Sequence, residues 1–483
     1  MLRASVPVAA LSLTALIGCG DSDGKPGDTL PPGAAPLTAQ ESAAATPAAP
    51  TYSVAEGVAG TPNVLIVTID TIRADHLGFL GYGRPTSPRL DRLAEESLVF
   101  ERAFAPMATT LPSHTSMFTG LYPHEHGVLA NITEGRTYER RADLITLAEA
   151  FERAGYGTRA VVAAAPLHPR FGLDAGFAGY SAPAGKQRTA DKTTAAALVA
   201  LEELEASEQP GFLWVHYFDP HGPYVPPLKF ERRFRMDDST RALLAERQFE
   251  SRSQRPTGQW NDLEKGVDRY DAEIAFTDAQ VRRLLKNAEE SGWLEGAIVV
   301  VLGDHGEGLN QHGVAGHGLV WEEQLHVPML LQIPGVEARR ISAPVSLVDF
   351  APTLLHVLDL PGKEEFLGQV SGVNRFRTDL PDEATRLLGQ TSPRQSALGE
   401  IGYSLRAGRW KLIRTEDEQA MLYDLEQDPF ELEDVAGDHP RVVGQLTDEL
   451  EEMLRVQRRE VRTLEASEEV ESELRALGYG GGK

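Results

Sequence analysis

The sequence has few of the residues on which several classes of protein depend. It contains one cysteine, Cys19, in 483 residues, so an intrachain disulfide or a cysteine-rich zinc site is impossible. Basic residues are also scarce, because 47 Lys and Arg stand against 71 Asp and Glu, a formal net charge of −24. So acidic a surface repels phosphate backbones, which argues against nucleic-acid binding as the main function. An anionic substrate held by a buried metal remains compatible with this charge.

Long apolar runs are missing as well, since none reaches the roughly 20 residues that a membrane-spanning helix needs. The run at 6–17 follows Arg3 and is typical of a signal-peptide core. It ends in Leu16-Ile17-Gly18-Cys19, which resembles a bacterial lipobox. We therefore expect cleavage before Cys19, lipidation of Cys19, and a lipoprotein anchored in the cell envelope that faces the periplasm or the exterior. An ordinary secretory signal with an incidental cysteine is the alternative.

Beyond residue 60 the pattern is that of an α/β protein. Continuous apolar runs at 63–69 (NVLIVTI), 212–217 and 296–302 (GAIVVVL) are typical of buried parallel strands. Helical spacing at 143–154, 189–205 and 270–290 alternates with these runs, which predicts a mostly parallel sheet sandwiched by helices. Chemistry collects at the carboxyl ends of such strands, and Asp70 and Asp304 each follow one.

Two other segments carry polar residues that suit a reactive site. Pro112 favours a helix that starts next to Thr110, and a helix N-terminus attracts anions. The segment 303–312 places Asp304 and His305 side by side at a strand end, with His317 soon after. Neighbouring Asp and His side chains suggest a bound metal.

Together these segments resemble the sulfatase family of the alkaline-phosphatase-like superfamily. Residues 110–114 (TLPSH), followed by Thr-Gly at 119–120, match in spacing the family pattern Cys/Ser-x-Pro-Ser-Arg-x4-Thr-Gly. Residues 122–128, 347–354, 409–413 and 422–429 are similar to further family blocks in the same order. The N-terminal pattern predicts a signal peptide (1–18) and a lipidated Cys19 with an Ala/Pro-rich tether (19–60), and a charged helical pattern predicts a C-terminal helix and tail (441–483). Between them, the resemblance implies a sulfatase-like catalytic domain (61–375) and a small C-terminal α+β subdomain (376–440).

The resemblance also implies a metal site that this chain alters. Asp70, Asp304 and His305 fall at family ligand positions, whereas Thr71 replaces a second aspartate. An Asp-His pair is closer to phosphonate monoester hydrolases and phosphodiesterases than the Asp-Asn of many sulfatases. Because imidazole is a softer ligand than carboxylate, zinc or manganese is favoured and calcium is possible. A second metal held by Asp219 and His221 is an open alternative.

Thr110 occupies the position of the family nucleophile, where Cys or Ser is oxidised to formylglycine. Threonine cannot form that aldehyde, so the expected nucleophile is a plain hydroxyl, activated as a further ligand of the metal. If Thr110 only caps the helix, the chain is an inactive relative.

The remaining site residues are assigned by position within the resemblance. Asn131 would donate a hydrogen bond to an ester oxygen, and His114, predicted with Asn131 to bind substrate, replaces the family arginine that holds the nucleophile. His221 would face the leaving group, and His317 takes the place of a lysine that contacts it. His221 or His317 would protonate the leaving oxygen.

These assignments predict a metal-dependent hydrolase of sulfate or phosphate esters whose substrate is a small molecule, a glycan or a lipid ester. An alkoxide cannot release sulfate by the carbon–oxygen elimination open to a formylglycine hydrate, which favours phosphate esters, whereas the family favours sulfate esters. Alternatives are a phosphodiesterase or phosphonate monoesterase, a phosphoryl transferase acting on envelope lipids, and a non-catalytic binding protein on the same scaffold.

Overall fold

A computed structural model describes residues 61–131, 136–138, 143–185, 187–240, 242, 263–375, 385–392, 401–415, 418–455 and 463–465. The expected signal peptide, the lipid site at Cys19, the tether and the glycine-rich tail lie outside these ranges. Within the ranges, no helix is both long enough and apolar enough to cross a bilayer.

The described chain alternates strands and helices through most of its length. The strands are β1 (Val64–Ile69), β2 (Leu98–Phe104), β3 (Arg136–Tyr138), β4 (Gly157–Val161), β5 (Gly179–Ser181), β6 (Gly211–Tyr217), β7 (Ile298–Gly303), β8 (His326–Gln332), β9 (Arg339–Ile341), β10 (Val345–Ser346), β11 (Arg386–Gln390), β12 (Ile401–Ala407), β13 (Trp410–Thr415), β14 (Ala420–Asp424) and β15 (Thr463–Glu465). The α-helices are α1 (Pro88–Glu95), α2 (Thr110–Thr119), α3 (Pro123–His126), α4 (Leu147–Arg153), α5 (Ala190–Glu205), α6 (Leu228–Glu231), α7 (Leu263–Glu290), α8 (Glu322–Leu325), α9 (Phe350–Val357), α10 (Lys363–Leu367) and α11 (Pro440–Leu454).

The main sheet has nine strands in the order β10-β2-β8-β7-β1-β6-β4-β5, with β9 also paired to β2. Pairing is parallel except where β8 meets β2 and β7. The two faces of β1 enter different cores: Val64 and Ile66 pack on one side, and Leu65 and Val67 on the other. The predicted sheet, mostly parallel and covered by helices on both faces, is thereby confirmed.

The register of the central strands positions the site. Ile69 pairs with Tyr217 of β6 and with Gly303 of β7, so all three strands end at the same level. The next residues of β1 and β7 are Asp70 and Asp304. Because parallel neighbours end at the same edge, these two carboxylates come together, as the sequence indicates.

The C-terminal part forms a separate antiparallel sheet, β11-β12-β13-β14. Helix α11 packs on it through Val442, Leu446 and Leu450, which share a core with Leu412. This helix ends at Leu454, earlier than the helical pattern of residues 441–476 suggests. Farther along, β15 pairs with β3 of the catalytic domain, so part of that charged segment is a strand.

A buried charge network joins this small sheet to the catalytic domain. The ammonium of Lys411 on β13 lies 3.0 Å from Glu322 of α8 and 2.6 Å from Glu431. Arg406 on β12 also binds Glu322. His312 completes the network with an ion pair of 3.0 Å to Glu323. Charges this buried are tolerated only because each has a partner of opposite sign.

We expect His312 to make stability depend on pH. Burial lowers its pKa, but Glu323 and Glu431 outweigh burial and raise it to about 9, from an unfolded value of 6.5. The stabilisation is therefore complete below pH 6.5 and is lost as the pH rises through 9, by about 3 kcal/mol. Urea unfolding between pH 6 and 9.5 measures this loss. His312→Asn, which tolerates the φ of 51° at this position, should flatten the profile, and equal slopes in both proteins would contradict the assignment.

Candidate active site

Asp70, Asp304 and His305 form one compact group at the ends of β1 and β7. Their potential ligand atoms all lie within 4.8 Å of one another, and all three residues are buried. The Nε2 atom of His305 is 3.5 Å from Oδ1 of Asp70 and 3.6 Å from Oδ2 of Asp304. The structure thus brings together three of the four residues that the sequence predicts as metal ligands, the fourth being Thr110.

The chemistry of these atoms fits a bound cation. The Nδ1–H of His305 donates to the carbonyl of Gly306 at 2.9 Å, so the lone pair of Nε2 faces the carboxylates. Both carboxylate oxygens of Asp70 and Oδ2 of Asp304 are buried without a hydrogen-bond partner among the described residues. Burial raises the pKa of Asp70 to about 6, and burial together with the charge of Asp70 raises that of Asp304. A divalent cation would compensate all of these groups at once.

The backbone that follows β1 is held in an unusual conformation. Thr71, which replaces the second family aspartate, has a φ of 51°, a region that a β-branched residue rarely enters. The hydroxyl of Tyr270 donates to the Thr71 carbonyl at 2.7 Å, and the amide of Thr71 donates to Oδ1 of Asp304 at 3.2 Å. These contacts fix the turn that presents Asp70.

Thr110 is the first residue of α2, at the helix end expected from Pro112. Its hydroxyl is buried and has no hydrogen-bond partner in the part of the chain that the structure describes. The amide of Leu111 donates to Oδ1 of Asn131 at 2.9 Å, which leaves the NH2 group of Asn131 available. The hydroxyl of Ser113 donates to the carbonyl of Asp304 at 2.6 Å, which ties the helix start to the carboxylate group.

His114 lies in the same layer but has both ring nitrogens engaged. Nδ1–H donates to the carbonyl of Thr110 at 2.8 Å, and Nε2 is 3.2 Å from the hydroxyl of Thr68. That hydroxyl accepts from the indole of Trp214, so its proton is directed to His114. Nδ1 is also 3.6 Å from Oδ2 of Asp304. This geometry favours a positioning role over the substrate contact suggested by the sequence.

His221 and His317 lie next to each other, with ring centroids 5.1 Å apart, and the ring of His317 is 4.4 Å from that of His305. Burial lowers the pKa of His221. Burial also lowers the pKa of His317, but Glu307, 3.2 Å away, outweighs it, so the net pKa is raised. The hydroxyl of Tyr224 binds the other oxygen of Glu307 at 3.0 Å. The sequence had not singled out Glu307 or Tyr224.

Asp219 has a different environment from the one needed for a second metal with His221. Its Oδ2 accepts the amide of Ala190 at 2.5 Å, at the start of α5. The groups of possible ligands found in the described ranges do not include Asp219 or His221. The geometry therefore supports a helix-capping role for Asp219.

His216 is a third residue of this site to which the sequence assigned no role. It pairs in register with Thr68 near the end of β6, and its Nε2 is 3.6 Å from Oδ2 of Asp70. A histidine at the penultimate position of a buried strand, beside the strand that precedes Asp70, was the available signal. A buried histidine that packs in the core gives the same pattern, so this signal alone cannot identify a site residue.

Family models cover most of the described chain. Residues 62–360 match the model described as Sulfatase, and residues 310–460 match that of the N-sulphoglucosamine sulphohydrolase C-terminal region. An ulvan-active sulfatase of Formosa agariphila is 24% identical over 409 residues, which cover 78% of this chain and 77% of that protein. Human iduronate 2-sulfatase is 25% identical over 341 residues, 56% of this chain and 60% of that protein.

Solved structures share the fold. The phosphonate monoester hydrolase of Agrobacterium radiobacter superposes with a TM-score of 0.65 at 22% identity and covers 82% of this chain and 96% of its own. A protein solved with its substrate D-glucosamine-2-N,6-O-disulfate superposes with a TM-score of 0.64 at 19% identity, over 82% of this chain and 98% of its own. The first model alone matches more than half of the sequence. The chain therefore belongs to the sulfatase family and is a hydrolase that acts on ester bonds.

Proposed function

We propose that this protein hydrolyses sulfate or phosphate esters with one divalent cation and with Thr110 as an unmodified nucleophile. The observation that carries the proposal is the buried hydroxyl of Thr110, which has no hydrogen-bond partner among the described residues and lies at a helix start tied to Asp304. A threonine cannot become formylglycine, so this hydroxyl is itself the reacting group.

Asp70, Asp304 and His305 would hold the cation. Two carboxylates and one imidazole suit zinc or manganese better than calcium, which prefers oxygen ligands alone. When bound, the cation polarises the ester and favours ionisation of a hydroxyl beside it. The lone pair of His305 and the unpartnered oxygens of Asp70 are the features of this chain that call for a positive charge.

The substrate would lie between the start of α2 and the two histidines. The Thr110 hydroxyl gives up its proton to water, and its Oγ1 atom forms a bond to phosphorus or sulfur while the bond to the leaving oxygen breaks. The NH2 group of Asn131, directed away from its bond to the Leu111 amide, donates to the oxygens that gain charge. Water then attacks the esterified threonine, which restores the hydroxyl and releases the acid.

The leaving oxygen needs a proton, and the two histidines differ in their ability to supply it. Glu307 raises the pKa of His317, which favours its protonated form, whereas burial lowers the pKa of His221 and favours its neutral form. A pair with pKa values shifted in opposite directions is typical of divided acid and base roles. His317 therefore serves as the general acid, and His221 orients the leaving group.

Two arguments about the substrate class point in different directions. The names of the relatives indicate sulfated glycans, such as ulvan and iduronate-containing chains. A plain threonine must be displaced from phosphorus or sulfur by water, which is a route typical of phosphate mono- and diesters. The predicted lipid anchor at Cys19 would place the enzyme at an envelope membrane, where glycan and lipid esters are both available.

A substrate panel tests the proposal. The protein without residues 1–18 is stripped with a chelator and assayed on an aryl sulfate, a phosphate monoester and a phosphodiester, with zinc, manganese or calcium restored. We expect hydrolysis of at least one ester that depends on zinc or manganese. The same rate before and after stripping would contradict the metal role, and no hydrolysis of any ester by the metal-loaded protein would favour the non-catalytic alternative.

Asn131 offers a test of the charge-stabilising step. Asn131→Asp keeps the oxygen that accepts the Leu111 amide but removes the NH2 donor, so the start of α2 is preserved. We expect kcat to fall by about 10²–10³-fold, as for the loss of one donor to a developing oxyanion. Unfolding midpoints and kcat of wild type and variant are measured in parallel. A normal kcat in a folded variant would show that Asn131 does not contact the transferred group.

A further inference from the structure

His216 has the properties of a metal ligand but lies outside the ligand set implied by the family resemblance. Its imidazole is fully buried, and its Nε2 atom has no hydrogen-bond partner among the residues described. That atom lies 3.6 Å from Oδ2 of Asp70, while His305 approaches Oδ1 of the same carboxylate at 3.5 Å. The Asp70 carboxylate is therefore flanked by two imidazoles.

The spacing of these atoms suits coordination. Ligand atoms about 2.1 Å from a tetrahedral ion lie roughly 3.4 Å from one another. The separations of 3.5 and 3.6 Å around Asp70 are close to that value. His216 also belongs to a second group, with His114 and Asp304, whose potential ligand atoms lie within 4.8 Å of one another, so Asp304 is shared by the two groups. His216 thus offers a further donor beside Asp70 and Asp304.

The neighbouring His114 cannot take this role, because its two nitrogens are engaged by the Thr110 carbonyl and the Thr68 hydroxyl. His216 differs, because the only hydrogen bond to its ring among the described residues is a long one: the amide of Ala163 donates to Nδ1 at 3.4 Å. Coordination through Nε2 requires the ring proton on Nδ1, so the long contact with the Ala163 amide would be given up, and the lone pair of Nε2 would then face the Asp70 carboxylate.

We infer that Nε2 of His216 binds the same divalent cation as Asp70, Asp304 and His305, and replaces the carboxylate lost at Thr71. The assignment rests on the proposed metal-dependent function. A set of two carboxylates and two imidazoles carries one negative charge fewer than three carboxylates and one imidazole, and it selects zinc or manganese over calcium. The threonine at position 71 and the histidine at position 216 are then two parts of one change in the site.

X-ray absorption of the zinc-loaded wild-type protein counts the imidazoles on the metal, and competition with a chelating dye measures its affinity. We expect two imidazoles in wild type, one in His216→Gln, and zinc binding at least about 100-fold weaker in the variant. His126→Gln is the matched control, because His126 is also fully buried but binds Ser116 at 2.9 Å instead. This control should keep both imidazoles and the wild-type affinity.

Two imidazoles and unchanged affinity in His216→Gln would overturn the assignment. That result is expected if His216 instead donates its Nε2–H to Asp70. If His216→Gln does not fold, His114→Gln identifies the histidine that provides the second imidazole on the metal. Two imidazoles in that variant support His216, whereas one imidazole means that His114 is the ligand and overturns the assignment. One imidazole in wild type overturns this inference alone, whereas a wild type that binds no transition metal contradicts the proposed function as well.

Discussion

Thr110→Val should reduce ester hydrolysis by on the order of 10³-fold or more, because it removes the attacking oxygen and keeps the shape of the side chain. Valine retains the branched Cβ, and the Thr110 hydroxyl makes no hydrogen bond among the described residues that its removal would break. We therefore expect a folded protein that binds zinc with little change in stoichiometry. Turnover of the best ester in the panel and metal content by mass spectrometry are the measurements.

The matched control is Thr110→Ser, which keeps the hydroxyl. This variant should retain a readily measured part of the wild-type rate when it is expressed without a formylglycine-generating enzyme. A Thr110→Val protein that hydrolyses the ester at the wild-type rate would rule out the covalent route, and water would then be the direct attacking group.

Asp70→Asn should have opposite effects on metal binding and on the metal-free fold. Without a cation, burial raises the pKa of Asp70 to about 6, and burial together with the charge of Asp70 raises that of Asp304. A raised pKa means that the folded state resists ionisation, so the destabilisation is present above pH 6 and vanishes as the pH falls below the unfolded value of 3.8. The amide removes this charge, and we expect the free energy of unfolding of the stripped protein to rise by about 1–3 kcal/mol at pH 8.

The same variant should lose metal-dependent stabilisation and activity. A cation present at 100 times its Kd stabilises the wild-type fold by about 2.7 kcal/mol, and this gain should nearly disappear in Asp70→Asn. Urea unfolding at pH 5 and pH 8, with and without zinc, provides all the required comparisons. Asp304→Asn should behave in the same way. A stripped Asp70→Asn protein less stable than stripped wild type at pH 8 would show that the carboxylates have compensation that does not depend on a metal.

The central part of the fold was predictable because its strands are buried on both faces. Continuous apolar runs at β1, β6 and β7 identify such strands directly, and their carboxyl ends place Asp70 and Asp304 together. Strand β8 is harder to recognise, because Pro328 argues against a position within a sheet. The structure accommodates Pro328 where the pairing of β2 is irregular, between Phe100 and Ala103. This accommodation depends on a partner strand far away in the sequence.

The candidate site was predictable in its residue types but not in all of its contacts. Asp304 and His305 stand together in a recognisable segment, so their proximity to Asp70 followed from topology. The contact of the second ring nitrogen of His114 depends on Thr68 and Trp214, which lie on two strands far apart in the sequence. The raised pKa of His317 depends in the same way on Glu307, whose other carboxylate oxygen binds the hydroxyl of Tyr224. Such pairings form only after the sheet has assembled.

The ion pairs of Lys411 connect the C-terminal sheet to the rest of the chain, so the two parts depend on each other. Glu322 lies in α8, and its cationic partners Lys411 and Arg406 come from the C-terminal sheet. The same helix holds the loop after β7, because the amide of Gly306 donates to the carbonyl of Gln324 at 2.8 Å. A fragment that stopped near residue 360 would remove both counter-ions of Glu322, and we expect it to loosen the helix against which the residue next to His305 is held.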